Sequence, residues 1–341
     1  MKQGSTALRV SDVNEDDILA AIAPYLPCSR HIRVPSGDDC AVLSVPSGQV
    51  AISTDMLVEG RHFRRDWSTG FDVGLRCVAQ NVADSVAMGA QPLSLVVAIQ
   101  IPSDTPLSWV TDCARGLGEA ARCYGVGIDG GDIVAGDSVT VSATIVGDMC
   151  GREPIVRSGA RSGDIVIHSG ELGYSAAGLE LLKRGYRRDN APVDSAISIF
   201  IDRFCAPQPP VHRALEAVDT GKINAMMDVS DGLMRDASRI AKASKVCLDI
   251  DSSALQRDID ALMVVAKHIG VSDPWQWALE RVLTGGEDHG FLATMPSHGH
   301  IPVGFRAIGR VRENRGEGRI MLDGREYRDA GGFDHFAPTR P

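Results

Sequence analysis

The stretch NAMMDVSDGLMRD, residues 224–236, passes from a short apolar run through a carboxylate-and-glycine turn into a helical pattern. The run ends in Asp228; Ser230, Asp231 and Gly232 follow, and Leu233 opens the helix. A strand that hands the chain to a helix through a tight polar turn is the elementary unit of a layered α/β protein. The two carboxylates also need a reason. An unpaired carboxylate at the end of a buried strand has no comfortable solvated place.

The same alternation runs outward in both directions. Toward the N-terminus, NEDDILAAIAPYL (14–26) reads as an amphipathic helix with acidic residues in its first turn. CAVLSV and QVAISTD read as strands joined at Pro46-Ser47-Gly48. Helices are expected over 74–89 and 107–124, with strands at LSLVVAIQI and SVTVSATIVG. Past a Gly-, Arg- and Ser-rich seam, CGREPIVRSGARSGD (150–164), the pattern is strand 165–169, helix 175–184 and helices within 195–219. After the opening stretch come helix 233–243, strand 246–250, helix 253–268 and several late strands. The expected class is α/β (α+β), with layered mixed sheets in two domains, 1–150 and 151–341.

Composition narrows the partners. Hydrophobic residues make up 44% and charged residues 23%, ordinary for a globular protein with a real core. The formal charge of −9 disfavours a nucleic-acid groove and suits a protein that gathers divalent cations. The eight cysteines form no C-x-x-C pair and read as reduced thiols. No run reaches the apolar length of a membrane span, and the N-terminus carries no apolar leader, so a cytoplasmic location is expected.

Six motifs set carboxylates beside glycine at the edges of apolar segments: SGDDCAVL (36–43), ISTDMLVEGRHF (52–63), NVADSVAMGA (81–90), GIDGGD (127–132), DVSDG (228–232) and TGGEDHGF (284–291). Singly, each has a plain structural explanation. Asp39 suits a turn, Asp55 a loop cap and Asp84 a helix surface. Ser230 or Asp231 suits the N-cap of the helix that follows. Together they ask for more. Two carboxylates at about 4 Å repel by about 4 kcal/mol at an effective dielectric of about 20. Mg²⁺ relieves that repulsion with one or two carboxylates per ion and leaves room for phosphate oxygens. Asp228 and Asp231 are then expected metal ligands, with Ser230 facing a phosphate. Glycine-adjacent amides at 130–132 and 285–286 are candidate phosphate donors, and Arg157 is a candidate planar fork for phosphate. The same repulsion predicts that Asp55→Asn or Asp228→Asn abolishes turnover while leaving the fold intact, or even raises its stability when no metal is bound.

Two familiar nucleotide motifs do not apply. Gly125, Gly127 and Gly130 match G-x-G-x-x-G, but a helix precedes them and a Gly-Asp turn follows, the reverse of the dinucleotide fingerprint. No G-x-x-x-x-G-K-[ST] is present. His62, His289 and His335 stand isolated, as packing or surface residues by default.

Taken in order, GDDCAVL, ISTDMLVEGRHF, NVADSVAMGAQP, GGD, RSGARSGD, MDVSDGL and GGEDH resemble the thiamine-monophosphate kinase family. That family lies within the wider fold group of aminoimidazole ribonucleotide synthetase, selenophosphate synthetase and a hydrogenase maturation factor. The resemblance covers roughly residues 30–335. It implies ATP- and Mg²⁺-dependent phosphorylation of thiamine monophosphate to thiamine diphosphate by a homodimer. It further implies that Asp39, Ser53, Thr54, Asp55, Asp84, Asp132, Asp228 and Asp231 serve several Mg²⁺ ions. Gly131, Asp132, Arg157 and Ser230 would hold ATP, and His62, Glu287 and Phe333 the substrate. The family often carries Tyr-Glu after GGED, where this chain has His289-Gly290, and DAGGFDHF lacks a tryptophan found in some members.

Such chemistry needs no catalytic base, because the attacking monoester oxygen is already anionic. Direct in-line transfer without a phospho-enzyme is therefore expected. One alternative is another ATP-using synthetase of the group, of the selenophosphate or aminoimidazole ribonucleotide type. Cys28 does not sit in the glycine-rich loop a selenophosphate enzyme would need, and the chain ends PTRP where the maturation factor would carry a cysteine. The other alternative is a nucleotide- or metal-binding regulator without turnover.

Overall fold

The computed structural model describes residues 8–37, 39–188, 196–314 and 316–328. It divides into two compact units, Met1–Ser85 with Ala90–Arg152, and Val86–Gly89 with Glu153–Pro341. Phe333 lies outside the described residues.

In the first unit, α1 (Glu15–Ile22) is capped by Asn14, which accepts from the Asp17 amide, and the chain continues through β1 (Ile32–Val34) and β2 (Val42–Leu43). Then follow β3 (Val50–Val58), α2 (Gly70–Ala87), β4 (Gln91–Ile101), α3 (Leu107–Tyr124), β5 (Gly127–Ala135) and β6 (Thr140–Asp148). The last four strands of this series form a sheet ordered β3-β6-β4-β5, antiparallel except for β4 and β5. GIDGGD is therefore a strand, not the turn its glycines suggest. The crossover helix α3 returns the chain parallel to β4, and that ladder takes up the backbone of 127–135. Period-2 alternation divides the sheet cleanly. Leu57, Leu95, Val97, Val141, Ala143 and Ile145 are buried on one face. On the other, Val50, Ile52, Met56, Val96 and Val134 remain 44–70% exposed.

The second unit contains β7 (Asp164–Ser169), α4 (Tyr174–Lys183), α5 (Ser198–Cys205), α6 (Val211–Asp219), β8 (Ala225–Val229) and α7 (Leu233–Ser244). It continues with β9 (Cys247–Ile250), α8 (Gln256–His268), α9 (Pro274–Thr284), β10 (Gly290–Pro296), β11 (Phe305–Arg312), β12 (Arg319–Leu322) and β13 (Arg325–Glu326). Their sheet runs β13-β12-β9-β11-β7-β10-β8, antiparallel except for β12 against β9. Strands β8 and β9 are buried along their whole length, with Asp228 and Asp249 buried among their apolar residues. Helix α9 is not foreseen above. Its start signal is present in the sequence: Asp273 caps the Gln276 amide at 3.0 Å and Pro274 takes the first helical position. Among the described residues, no helix is long and apolar enough to cross a membrane.

Candidate functional site

The expected site residues fall into two groups, one in each unit. In the first, β3 presents Ser53, Thr54 and Asp55 alternately to its two faces. Ser53 turns to the helix-covered side, where its Oγ donates to Asp84 Oδ2 of α2 at 2.8 Å. Asp84 thus belongs to the strand–helix junction and not to a helix surface. Asp55 shares the face of Ser53, in the cross-strand row Asp55–Ala143–Val97–Gly131. Its charge reaches the Cys77 thiol of α2. That thiol is pushed up first by burial and further by Cys113 and Asp55.

Thr54 faces the other way and hydrogen-bonds Thr144 between hydroxyls at 2.7 Å. Asp132 lies in the row Met56–Ser142–Ala98–Asp132, on that same open face, and its carboxylate accepts the Ile133 amide at 3.0 Å. Asp39 is exposed between β1 and β2. Within this unit the structure joins Ser53 to Asp84, places Asp55 on the same face as Ser53, and sets Thr54 and Asp132 on the opposite face. Among the described residues, no three His, Cys, Asp or Glu side chains are gathered as a metal-binding group.

His62 follows β3 in a closed turn. Its Nδ1 accepts the Val58 amide at 3.0 Å, and its carbonyl accepts Arg76 Nη1 at 2.8 Å. Sequence reasoning passed over Asp129, which is buried and anchors GIDGGD. It accepts the Ser29 amide at 2.8 Å and the Ser94 hydroxyl at 2.6 Å.

In the second unit, the DVSDG and GGED segments are tied by backbone. The Glu287 amide donates to Ser230 O at 2.7 Å, and the His289 amide to Val229 O at 3.0 Å. Asp228, buried on β8, holds His289 Nδ1 at 3.1 Å, and His289 Nε2 stands 3.4 Å from Glu287 Oε2. Burial alone would lower the imidazole pKa, but the two carboxylates overrule it and lift the group to about 10. The two carboxylates thus favour the protonated form of His289. Local sequence shows only the neighbouring Glu287; Asp228 lies 61 residues away.

Asp231 is not the N-cap of α7. Gly232 takes that position at φ 112°, and a Cβ there would lie 2.6 Å from the Thr284 carbonyl. The Asp231 amide is satisfied instead by Asp236 Oδ2 at 2.9 Å. The Asp231 carboxylate is paired with Arg239, which also holds Asp236 at 2.5 Å. Arg239 engages Oδ2 of that carboxylate. Asp236 is pushed up to about 7 by burial, then by the charge of Asp228, with Arg239 pulling the other way.

Asp288 is buried and accepts the amides of Gly173 at 2.5 Å and Ser175 at 2.7 Å, so a residue far along the chain caps α4. Burial raises it to about 7 despite those two donors. Glu287 and His289 on either side have φ of 69° and 54°, a left-handed backbone that non-glycine residues rarely adopt. Arg157 stands exposed in a short turn, its carbonyl accepting the Ser244 hydroxyl at 2.7 Å.

Residues 37–149 match the AIR synthase related protein, N-terminal domain, and residues 161–298 match its C-terminal domain. A thiamine-monophosphate kinase of Mycobacterium tuberculosis is 43% identical over 300 residues, covering 88% of this chain and 85% of that one. The chain belongs to the thiamine-monophosphate kinase family. The thiamine-monophosphate kinase of Escherichia coli is 33% identical over 317 residues, covering 90% of this chain and 93% of its own. The structure of AaThiL complexed with AMPPCP and TMP superposes with a TM-score of 0.75 at 30% identity, over 97% of this chain and all of that one.

For a member of the thiamine-monophosphate kinase family, the His289-Gly290 pair now has a physical setting. A Cβ at Gly290 would lie 2.6 Å from Ser169 O and 2.8 Å from His168 Nε2. With the buried His168 ring in that place, the backbone has no room for a side chain at position 290.

Proposed function

We propose that this protein phosphorylates thiamine monophosphate to thiamine diphosphate with ATP as donor. The observation that carries the reading is the family membership, together with the likeness over 97% of the chain to a structure holding AMPPCP and TMP. The acceptor oxygen of a phosphate monoester is already anionic, so the residues have only to position the two anions and offset their repulsion. Transfer is direct, without a phospho-enzyme.

The donor set at Asp39, Ser53, Thr54, Asp55, Asp84, Asp132, Asp228 and Asp231 is oxygen throughout, the chemistry that suits Mg²⁺. These residues would hold the ions, whose charge, when bound, offsets that of the transferring phosphoryl group. Gly131, Asp132, Arg157 and Ser230 would hold ATP. His62, Glu287 and Phe333 would contact the substrate, with His289 keeping Asp228 and Glu287 in fixed relation.

A homodimer belongs to this reading. The open face of the first unit's sheet, with Ile52 at 70% and Val50 at 55% exposure, is an apolar surface of the kind that a second copy covers. So does a cytoplasmic location, supported by eight cysteines carried as free thiols.

The test is a steady-state assay with thiamine monophosphate, ATP and Mg²⁺, following ADP and thiamine diphosphate together. Equimolar formation of both is expected. Turnover of other phosphorylated metabolites but not of thiamine monophosphate would overturn the substrate assignment. A trapped phospho-aspartate or phospho-histidine would overturn direct transfer.

A further inference from the structure

We infer that Arg76 is a positioning residue for His62, and that together with the Val58 amide it fixes the ring with its lone pair on Nδ1 and its proton on Nε2. This deepens the reading above, on which His62 contacts thiamine monophosphate.

The turn after β3 is closed by its own backbone. The amides of Arg61 and His62 both donate to Val58 O, at 3.1 and 3.0 Å, and the Gly60 amide donates to Phe63 O at 2.8 Å. Phe63 is 2% exposed and stacks on Trp109 with ring centroids 6.5 Å apart, which nails the end of the turn to α3. Into this turn the His62 ring folds back, so that the Val58 N–H points at Nδ1 from 3.0 Å. A donor facing Nδ1 requires a lone pair there; a proton on Nδ1 would set two N–H groups head-on. The ring proton therefore resides on Nε2.

The His62 main chain is held from below. Arg76 on α2 is 1% exposed, yet its Nη1 donates to the His62 carbonyl at 2.8 Å. A charged donor on a backbone carbonyl in a dry setting is a strong, directional contact. It fixes the peptide from which the ring projects. The consequence concerns recognition. His62 offers an N–H donor, so its matching group on the substrate is a hydrogen-bond acceptor, such as a phosphate oxygen or an unprotonated pyrimidine nitrogen.

Nitrogen-15 spectra of the imidazole region test this on the wild-type chain, with His62 assigned by comparison with His62→Gln. An Nε2–H pattern is expected; an Nδ1–H pattern or an average of both tautomers overturns the inference. In Arg76→Met the His62 signals should shift toward that average. The KM for thiamine monophosphate should rise roughly tenfold, with the ATP KM and kcat within about twofold. Arg76→Lys should recover part of the loss. A folded Arg76→Met with wild-type KM would overturn the positioning role, and if that variant does not fold, Arg76→Lys and the wild-type spectrum decide. A wild-type chain that shows the Nε2–H pattern but does not turn over thiamine monophosphate sinks the functional reading alone.

Discussion

His289 Nδ1 lies 3.1 Å from Asp228 Oδ2, and both side chains are nearly sealed from solvent, at 5% and 6% exposure. Asp228 is thus not an isolated buried carboxylate. One of its oxygens already faces an imidazole.

This relation reverses one expectation from sequence. If Asp228 only repelled its neighbours, Asp228→Asn would leave the fold unharmed or firmer. With His289 beside it, the substitution removes the charged partner of a buried imidazole, at a cost on the order of 3 kcal/mol. Urea denaturation of Asp228→Asn should show this loss, together with loss of turnover. Undiminished stability would mean that the pair does not form.

Asp55→Asn should behave differently. Asp55 lies on the helix-covered face of β3 beside Ser53, and its carboxylate pushes up the Cys77 thiol. The variant should lose turnover with a midpoint in urea close to the wild type. Activity retained at millimolar Mg²⁺ would remove Asp55 from the proposed metal set.

Asp288 gives a pH dependence with a definite sign. Its folded pKa, about 7, stands above the unfolded value near 3.8. The native state therefore binds the proton more tightly, and rising pH across that window works against folding. Asp288→Asn has no such slope. Its stability relative to wild type should improve as pH rises from about 4 to about 7 and then level off. Melting curves at a series of pH values check this; a constant difference would mean that Asp288 titrates normally.

Gly232→Ala combines a φ of 112° with a Cβ 2.6 Å from the Thr284 carbonyl. It should destabilise by roughly 2 kcal/mol or more and displace the DVSDG turn, lowering turnover beyond the stability loss. A chemical-denaturation midpoint equal to wild type would show that the turn accommodates the methyl group.

Ile52→Lys tests the open sheet face. At 70% exposure the change should cost the isolated chain little. Sedimentation velocity should nevertheless show a wild-type dimer reduced to monomer. An unaltered dimer would place the contact elsewhere.

Much of the fold was legible because it is written locally. The apolar run into Asp228 followed by a helical period does form β8 and α7, and the acidic first turn after Asn14 does open α1. The errors lie where distant chain decides. GIDGGD looks like a turn until β4 supplies a parallel partner. Ser230 and Asp231 look like caps until Asp236 and Thr284 crowd the position. In the candidate site, the carboxylates were visible as residue types beside glycine. Their partners were not: Arg239 for Asp231, His289 for Asp228 and the α4 amides for Asp288 emerge only when separate segments fold together.

The Thr54–Thr144 hydroxyl bond, 2.7 Å long, sits within the apolar stripe of that open sheet. One hydroxyl donates to the other, so the pair meets part of its own hydrogen-bonding need before the stripe is covered. Asp132 lies on the same face, so a neighbour seated there would have to answer its carboxylate as well as match the apolar shape.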